Sequence, residues 1–169
     1  ARTVMVNSGE INGVPVHVSR FILTDILRKE LGFKGVAVSD WEDIKKLVTI
    51  HRVAADEKEA TRMAVMAGID MSMVPSDYSF ADHLIALVKE GKVPMARINE
   101  AVRRILRVKF ELGLFENPMP DPALKINFGT NASRDLSLQA ARESMTLLKN
   151  EGGLLPLSKN QKVLVTGPT

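Results

Sequence analysis

Asp40 and Trp41 close the run Val36-Ala37-Val38-Ser39 and form the pairing with the most chemical content in the chain. A carboxylate leaving a buried strand is held rigidly by its sheet, where it can serve as nucleophile, acid or base. The flat indole beside it offers a face for a sugar ring. Two other stretches carry comparable groups: Asn7-Ser8-Gly9-Glu10 after the apolar run Thr3 to Val6, and Asp70 with the turn Pro75-Ser76-Asp77 around the run Ile69 to Val74. In parallel α/β architectures reactive groups gather at the carboxyl ends of strands, where the loops converge, so these stretches are candidate positions. The local pattern leaves a second reading open, because an Asp at a strand end is also a common helix cap or turn former.

The elements that must position these groups follow from hydrophobic spacing. Thr3 to Val6 reads as a strand, followed by a turn-rich stretch from Asn7 to Pro15. Ser19 fits as the cap of a helix carrying Phe21, Ile22, Ile26, Leu27 and Leu31, closed by Gly32. Gly35 to Ser39 is apolar without alternation, as in a parallel strand buried on both faces. Asp56 and Glu59 make a capping-box start for a helix through Ala60, Met63, Ala64 and Ala67, stopped by Gly68. The strand Ile69 to Val74 follows, then a helix capped by Ser76 with Phe80, Leu84, Leu87 and Val88 on its apolar face. Pro94 opens a last long helix marked by Ile98, Val102, Ile105 and Leu112 and ended by Gly113. Strands joined by helices imply a parallel sheet, either doubly wound or a (β/α) barrel. Residues 116–132, rich in Pro and Asn and without a usable period, read as a linker between a first domain, 1–115, and a second, 133–169. In the second, Ser133 is expected to cap a helix with Leu136, Ala140, Ala141, Met145 and Leu148, and Lys162 to Thr166 to form a strand running into Gly167-Pro168.

Composition narrows the partners. Lysine and arginine number 23 against 20 acidic residues, a net charge of +3, but the two signs alternate along the chain and describe a solvated surface. With 5% aromatic residues and no interleaving of aromatic and basic side chains, nucleic acid is not an expected partner. No apolar run reaches the roughly 20 residues of a membrane span, so no membrane association is expected either. The absence of cysteine removes disulfides, thiolate catalysis and cysteine-bound zinc, and His51 and His83 lack ligand spacing, so neither metal nor cofactor is expected. The first residues, Ala1 onward, read as a strand already under way, and the chain is expected to be an internal piece of a larger protein.

Gly32-Phe33-Lys34-Gly35-Val36-Ala37-Val38-Ser39-Asp40-Trp41 resembles the nucleophile motif of glycoside hydrolase family 3, the family of many β-glucosidases and exo-β-glucanases. Ordered matches flank it. Val4-Met5-Val6 with Asn12-Gly13-Val14-Pro15 and His17 is similar to the preceding strand and loop, and Ala67-Gly68-Ile69-Asp70-Met71-Ser72-Met73 to the last barrel strand. Arg97-Ile98 through Ala101-Val102-Arg103-Arg104-Ile105-Leu106 and Gly113-Leu114-Phe115 resembles the closing helix. Ala140-Ala141-Arg142-Glu143-Ser144 through Leu155-Pro156-Leu157 resembles the start of the second domain.

The resemblance implies the C-terminal part of a (β/α)8 TIM-like barrel followed by the start of an α/β sandwich domain. It implies a retaining hydrolase that removes terminal β-glucosyl residues from β-linked oligosaccharides or glucosides, with Asp40 as nucleophile and Trp41 in the sugar platform. The acid/base partner belongs to the family's second domain and is assigned to no residue here. The family's sugar-gripping Lys-His pair lies on earlier strands, and His17 is not part of it. Ser8 stands where many relatives carry a Tyr, and Glu10 where a small polar residue is common, which loosens the substrate assignment. Ser8, Glu10 and Met5 are candidate substrate contacts; Glu10 equally fits an ordinary loop contact, Met5 plain core, and Asp70 a structural role. β-Xylosidase and β-N-acetylglucosaminidase are the alternatives within the family, and a non-catalytic α/β binding module the alternative outside it. Three strands of a barrel leave edges unpaired and the interior uncovered, so the isolated chain is expected to be inactive and to need the rest of its parent. The compartment is open; a parent that degrades polysaccharide would be periplasmic or secreted.

Overall fold

A computed structural model describes residues 1–167 and divides the chain into two units, Ala1–Met119 and Pro120–Thr169. The first unit begins with β1 (Thr3–Met5) and a hairpin of β2 (Glu10–Ile11) and β3 (Val14–Pro15). Asn12 and Gly13 join the hairpin at φ 52° and 75°, the left-handed pair that a two-residue type I′ turn demands. A tight turn, Val16–Val18, leads to a π-helix, Phe21–Glu30, and then to β4 (Val36–Trp41). α1 (Asp43–Thr49), α2 (Glu57–Ala67), β5 (Met71–Met73), α3 (Ser79–Lys89) and α4 (Met95–Glu111) complete the unit.

The three longer-range strands form a parallel sheet in the order β1-β4-β5. Helical segments pack behind it, and Val6, Val16, Leu23, Ile44, Leu47, Ala60, Ala64 and Ile69 make a continuous buried cluster. A smaller cluster of Val65, Leu87 and Val93 seats α3, with Phe80, Leu84, Val88 and Ile98 against it. The α3 face read from the sequence is thus the face that packs. α2 also starts and stops where expected: the Asp56 side chain accepts from the Glu59 N–H at 2.7 Å, and Gly68 closes the helix at φ 135°.

Val36, Ala37 and Ser39 of β4 are buried, while Met5 and Met71, in register on either side of Val38, are 54% and 50% exposed. Four expectations require correction. In the first helix Leu23 is the buried anchor, whereas Phe21 and Leu31 lie outside, because π-type bonding takes more residues per turn and rotates a stripe drawn at a 3.6-residue period. Tyr78, not Ser76, stands at the N-cap of α3 and makes no side-chain cap bond; Asp77 just before it accepts from both the N–H and the hydroxyl of Ser79 at 2.8 Å. In the second unit Thr130, not Ser133, caps α5 (Asn131–Ser144), its hydroxyl accepting from the Ser133 N–H at 3.2 Å. Lys162 to Thr166 forms no strand, since no neighbouring strand among the described residues pairs with it; the expected continuation into Pro168 lies outside those residues.

Candidate active site

β4 carries one residue more than its neighbour. Val38 pairs with Met71 and Trp41 with Met73, so β4 advances three residues (38 to 41) where β5 advances two (71 to 73). The surplus makes a bulge across Ser39 and Asp40, a device that re-aims side chains next to functional sites. Buried Ser39 bridges the irregularity, its hydroxyl accepting the Met73 N–H at 2.8 Å. The Asp40 N–H donates to Nε2 of His17 at 3.3 Å, a side-chain acceptor in place of a backbone one.

The Asp40 carboxylate is received by two donors. The backbone N–H of Trp41 donates to Oδ1 at 2.6 Å, and the Ser8 hydroxyl to Oδ2 at 3.1 Å. These bonds, the first the larger, hold the carboxyl below the usual carboxylate range; partial burial opposes them, and the Lys46 and His17 charges add smaller downward pulls. The group is therefore ionised at neutral pH, suited to act as a nucleophile or base and not as a proton donor. Beside it Trp41 is 53% exposed and free to present its ring.

Contacts between strand-end loops frame this carboxylate. Glu10 meets Nδ1 of His51 at 2.7 Å, tying the hairpin to the loop after α1. Lys45 meets Asp77 at 2.5 Å, tying α1 to the loop after β5, and this ammonium with the two Ser79 donors keeps Asp77 far below the ordinary carboxylate range.

The candidates read from the sequence are thus partly assembled. Asp40, Trp41 and Ser8 converge. Glu10 lies outside that group, with one carboxylate oxygen on His51. Met5 lies on β1 in the exposed row with Val38 and Met71. Asp70 stands at the amino end of β5, away from the carboxyl ends where Asp40 lies. Its side chain is wholly buried and gathers Arg28 at 2.7 Å, Arg97 and Arg104 at 2.9 Å each, and the Ala37 N–H at 3.1 Å. This is an ion-pair node joining the π-helix, β4 and α4, the structural role of the two considered.

Three residues behind Asp40 were given no role in the site from the sequence. His17 and Asp43 are each 3% exposed, His17 Nδ1 lies 3.8 Å from Asp43 Oδ2, and Lys46 reaches Asp43 Oδ1 at 2.5 Å. Burial lowers the His17 pKa despite the neighbouring Asp43 and Asp40 carboxylates, and Asp43 raises that of Lys46. The available signal was the polar residue enclosed in Val16-His17-Val18, and a second Asp three positions after the first.

A parallel α/β frame with an ionised carboxylate at the carboxyl end of its central strand, flanked by an exposed indole, makes a candidate enzyme site. The family model described as "Glycosyl hydrolase family 3 N terminal domain" matches residues 1–108, and the chain belongs to that family. It is 50% identical to a lysosomal β-glucosidase of Dictyostelium discoideum over 100% of this chain and 21% of the relative. A periplasmic β-glucosidase of Salmonella typhimurium and a putative β-xylosidase of Formosa agariphila are each 42% identical over 98% of the chain and 22% of their own lengths. Among solved structures, the β-glucosidase of Listeria innocua in complex with glucose superposes with a TM-score of 0.76 at 34% identity, covering 94% of this chain and 22% of that one. The chain thus spans about a fifth of the length of the relatives it matches.

Proposed function

We propose that this chain is the part of a retaining β-glucosidase that supplies the nucleophile, Asp40. The observation that carries the reading is the Asp40 carboxylate at the bulged end of β4, kept ionised by Trp41 N–H and Ser8 and open to solvent beside an exposed indole. In the first step a carboxylate oxygen bonds to the anomeric carbon as the glycosidic C–O bond breaks, the leaving oxygen taking a proton from a partner acid. In the second, that partner removes a proton from water, which displaces Asp40. A retaining pair stands about 5–5.5 Å apart, and we assign the partner to the remainder of the enzyme. Trp41 forms one wall of the sugar site, with Ser8 as orienter of the nucleophile.

Residues 1–115 are read as the C-terminal part of a (β/α)8 barrel, 116–132 as the linker and 133–169 as the start of an α/β sandwich domain. The open row Met5, Val38 and Met71 supports this, because inward-facing residues of a barrel strand are covered only when the other strands close it. The isolated chain is accordingly expected to show no turnover. The match to a putative β-xylosidase makes β-xylosidase the second reading.

In the complete enzyme, Asp40→Gly is expected to abolish hydrolysis of dinitrophenyl β-glucoside, and added azide to restore turnover by occupying the vacated space and bonding to the anomeric carbon from that side. The expected product is the α-glucosyl azide. Undiminished hydrolysis by Asp40→Gly without azide would sink the reading; equal or better turnover of β-xylosides by the wild type would move it to the second.

A further inference from the structure

The bulge in β4 creates a requirement: the N–H of Asp40 needs an acceptor, and a buried backbone donor left without one costs free energy. His17 is that acceptor, 3% exposed, with Nε2 at 3.3 Å. An imidazole nitrogen that accepts carries no proton, so the ring proton sits on Nδ1, which faces the buried Asp43 carboxylate at 3.8 Å. Asp43 Oδ2 makes no hydrogen bond and faces Nδ1 at ion-pair distance, while Oδ1 is held by Lys46. The alternative tautomer would set two N–H groups against each other at Asp40 and two acceptors at Asp43.

We propose that His17 is a positioning residue for the nucleophile, its imidazole fixing the bulged backbone of Asp40 and Asp43 fixing the imidazole in the accepting tautomer. This rests on the reading of Asp40 as nucleophile. Its chemical consequence is geometric: a carboxylate attacking an anomeric carbon must be held in a near-attack position, and a misplacement of about 1 Å costs about 100-fold in rate. Burial keeps the ring neutral and therefore able to accept, against the pull of Asp43 and Asp40.

The test uses the complete enzyme, nitrophenyl β-glucoside for turnover and a 2-fluoro β-glucoside to count and map active sites, so that kcat is expressed per labelled nucleophile and lost folding does not register. His17→Leu is expected to lower kcat about 100-fold at nearly constant KM. His17→Gln, whose amide oxygen can stand where Nε2 stands, should recover most of that loss. Asp43→Asn, which can present an N–H to Nδ1 and favour the wrong tautomer, should lose as much as His17→Leu. If His17→Leu does not fold, Gln and Asn decide: the proposal expects the first near wild type and the second impaired. A wild-type kcat per site in Asp43→Asn overturns the proposal, as does a Gln variant impaired like the Leu variant. Labelling of a residue other than Asp40 in the wild type overturns the nucleophile reading along with it, and is seen before any variant is made.

Discussion

Replacing Asp70 with Asn tests the frame that carries the site. The carboxylate accepts from four donors: Arg28 and the Ala37 N–H on Oδ2, and Arg97 and Arg104 on Oδ1. An asparagine of the same shape keeps one acceptor oxygen and turns an NH₂ toward the other pair of donors. At least two charge-strengthened bonds are lost, each worth about 1.5–3 kcal/mol. Breaking a buried ion pair from one side costs about 3–5 kcal/mol. Glu100, which pairs with Arg104 and lies 3.6 Å from Arg97, remains to absorb part of the released charge, so the expected loss is about 4 kcal/mol. At roughly 2–4 °C per kcal/mol that is a fall of about 10 °C in the melting temperature of the complete enzyme, read by thermal shift. Hydrogen exchange should quicken in β4, α4 and the π-helix together, since Asp70 joins all of them. Asp135→Asn on exposed α5 serves as control and should change stability by less than about 0.5 kcal/mol. A melting temperature within about 2 °C of wild type for Asp70→Asn would refute the node.

Ser8→Ala removes one of the bonds that lower the Asp40 pKa, so that carboxyl should titrate higher. Because the nucleophile works ionised, the acid limb of the kcat/KM profile should move to higher pH while the alkaline limb stays; an unmoved acid limb would contradict the contact. Trp41→Ala, at a half-exposed position, should leave thermal stability nearly unchanged and lower kcat/KM about tenfold, measured with aryl β-glucosides, the effect of losing about 1.4 kcal/mol of ring contact. Gly35→Ala places a methyl 2.1 Å from the Arg2 carbonyl oxygen, forcing β1 from β4. A cost of about 1–3 kcal/mol is expected, visible as reduced soluble yield, and a wild-type yield would show that the strands can part freely.

How much the sequence disclosed depended on the range of the interaction involved. α2 was legible because its cap, Asp56 to Glu59, and its Gly68 stop are local. The α3 face was legible because four apolar residues hold a helical period over a single packing surface. Asp40 stood out by its place after an apolar run, and the motif around it pointed to the family. α1 was missed: it is one short helix of 7 residues, introduced by Glu42 at φ 57° and held by Lys45 to Asp77 and by Ile44 and Leu47 in the core, contacts that no local pattern announces. The bulge was missed for a similar reason, since it exists only as a count between two strands that lie 33 residues apart in sequence (Val38 to Met71). With it went His17, whose role comes from a backbone N–H 23 residues away. Ser8, read from the sequence as a candidate substrate contact where many relatives carry a Tyr, is a direct donor to Asp40.

The most direct measurement incubates the complete enzyme with a 2-fluoro β-glucoside, whose fluorine slows release of the glycosyl-enzyme, and maps the adduct by peptide mass spectrometry. One glucosyl adduct on Asp40, formed as activity disappears, is the predicted result. An active enzyme labelled on any other residue, or inactivated with Asp40 unmodified, would contradict the account.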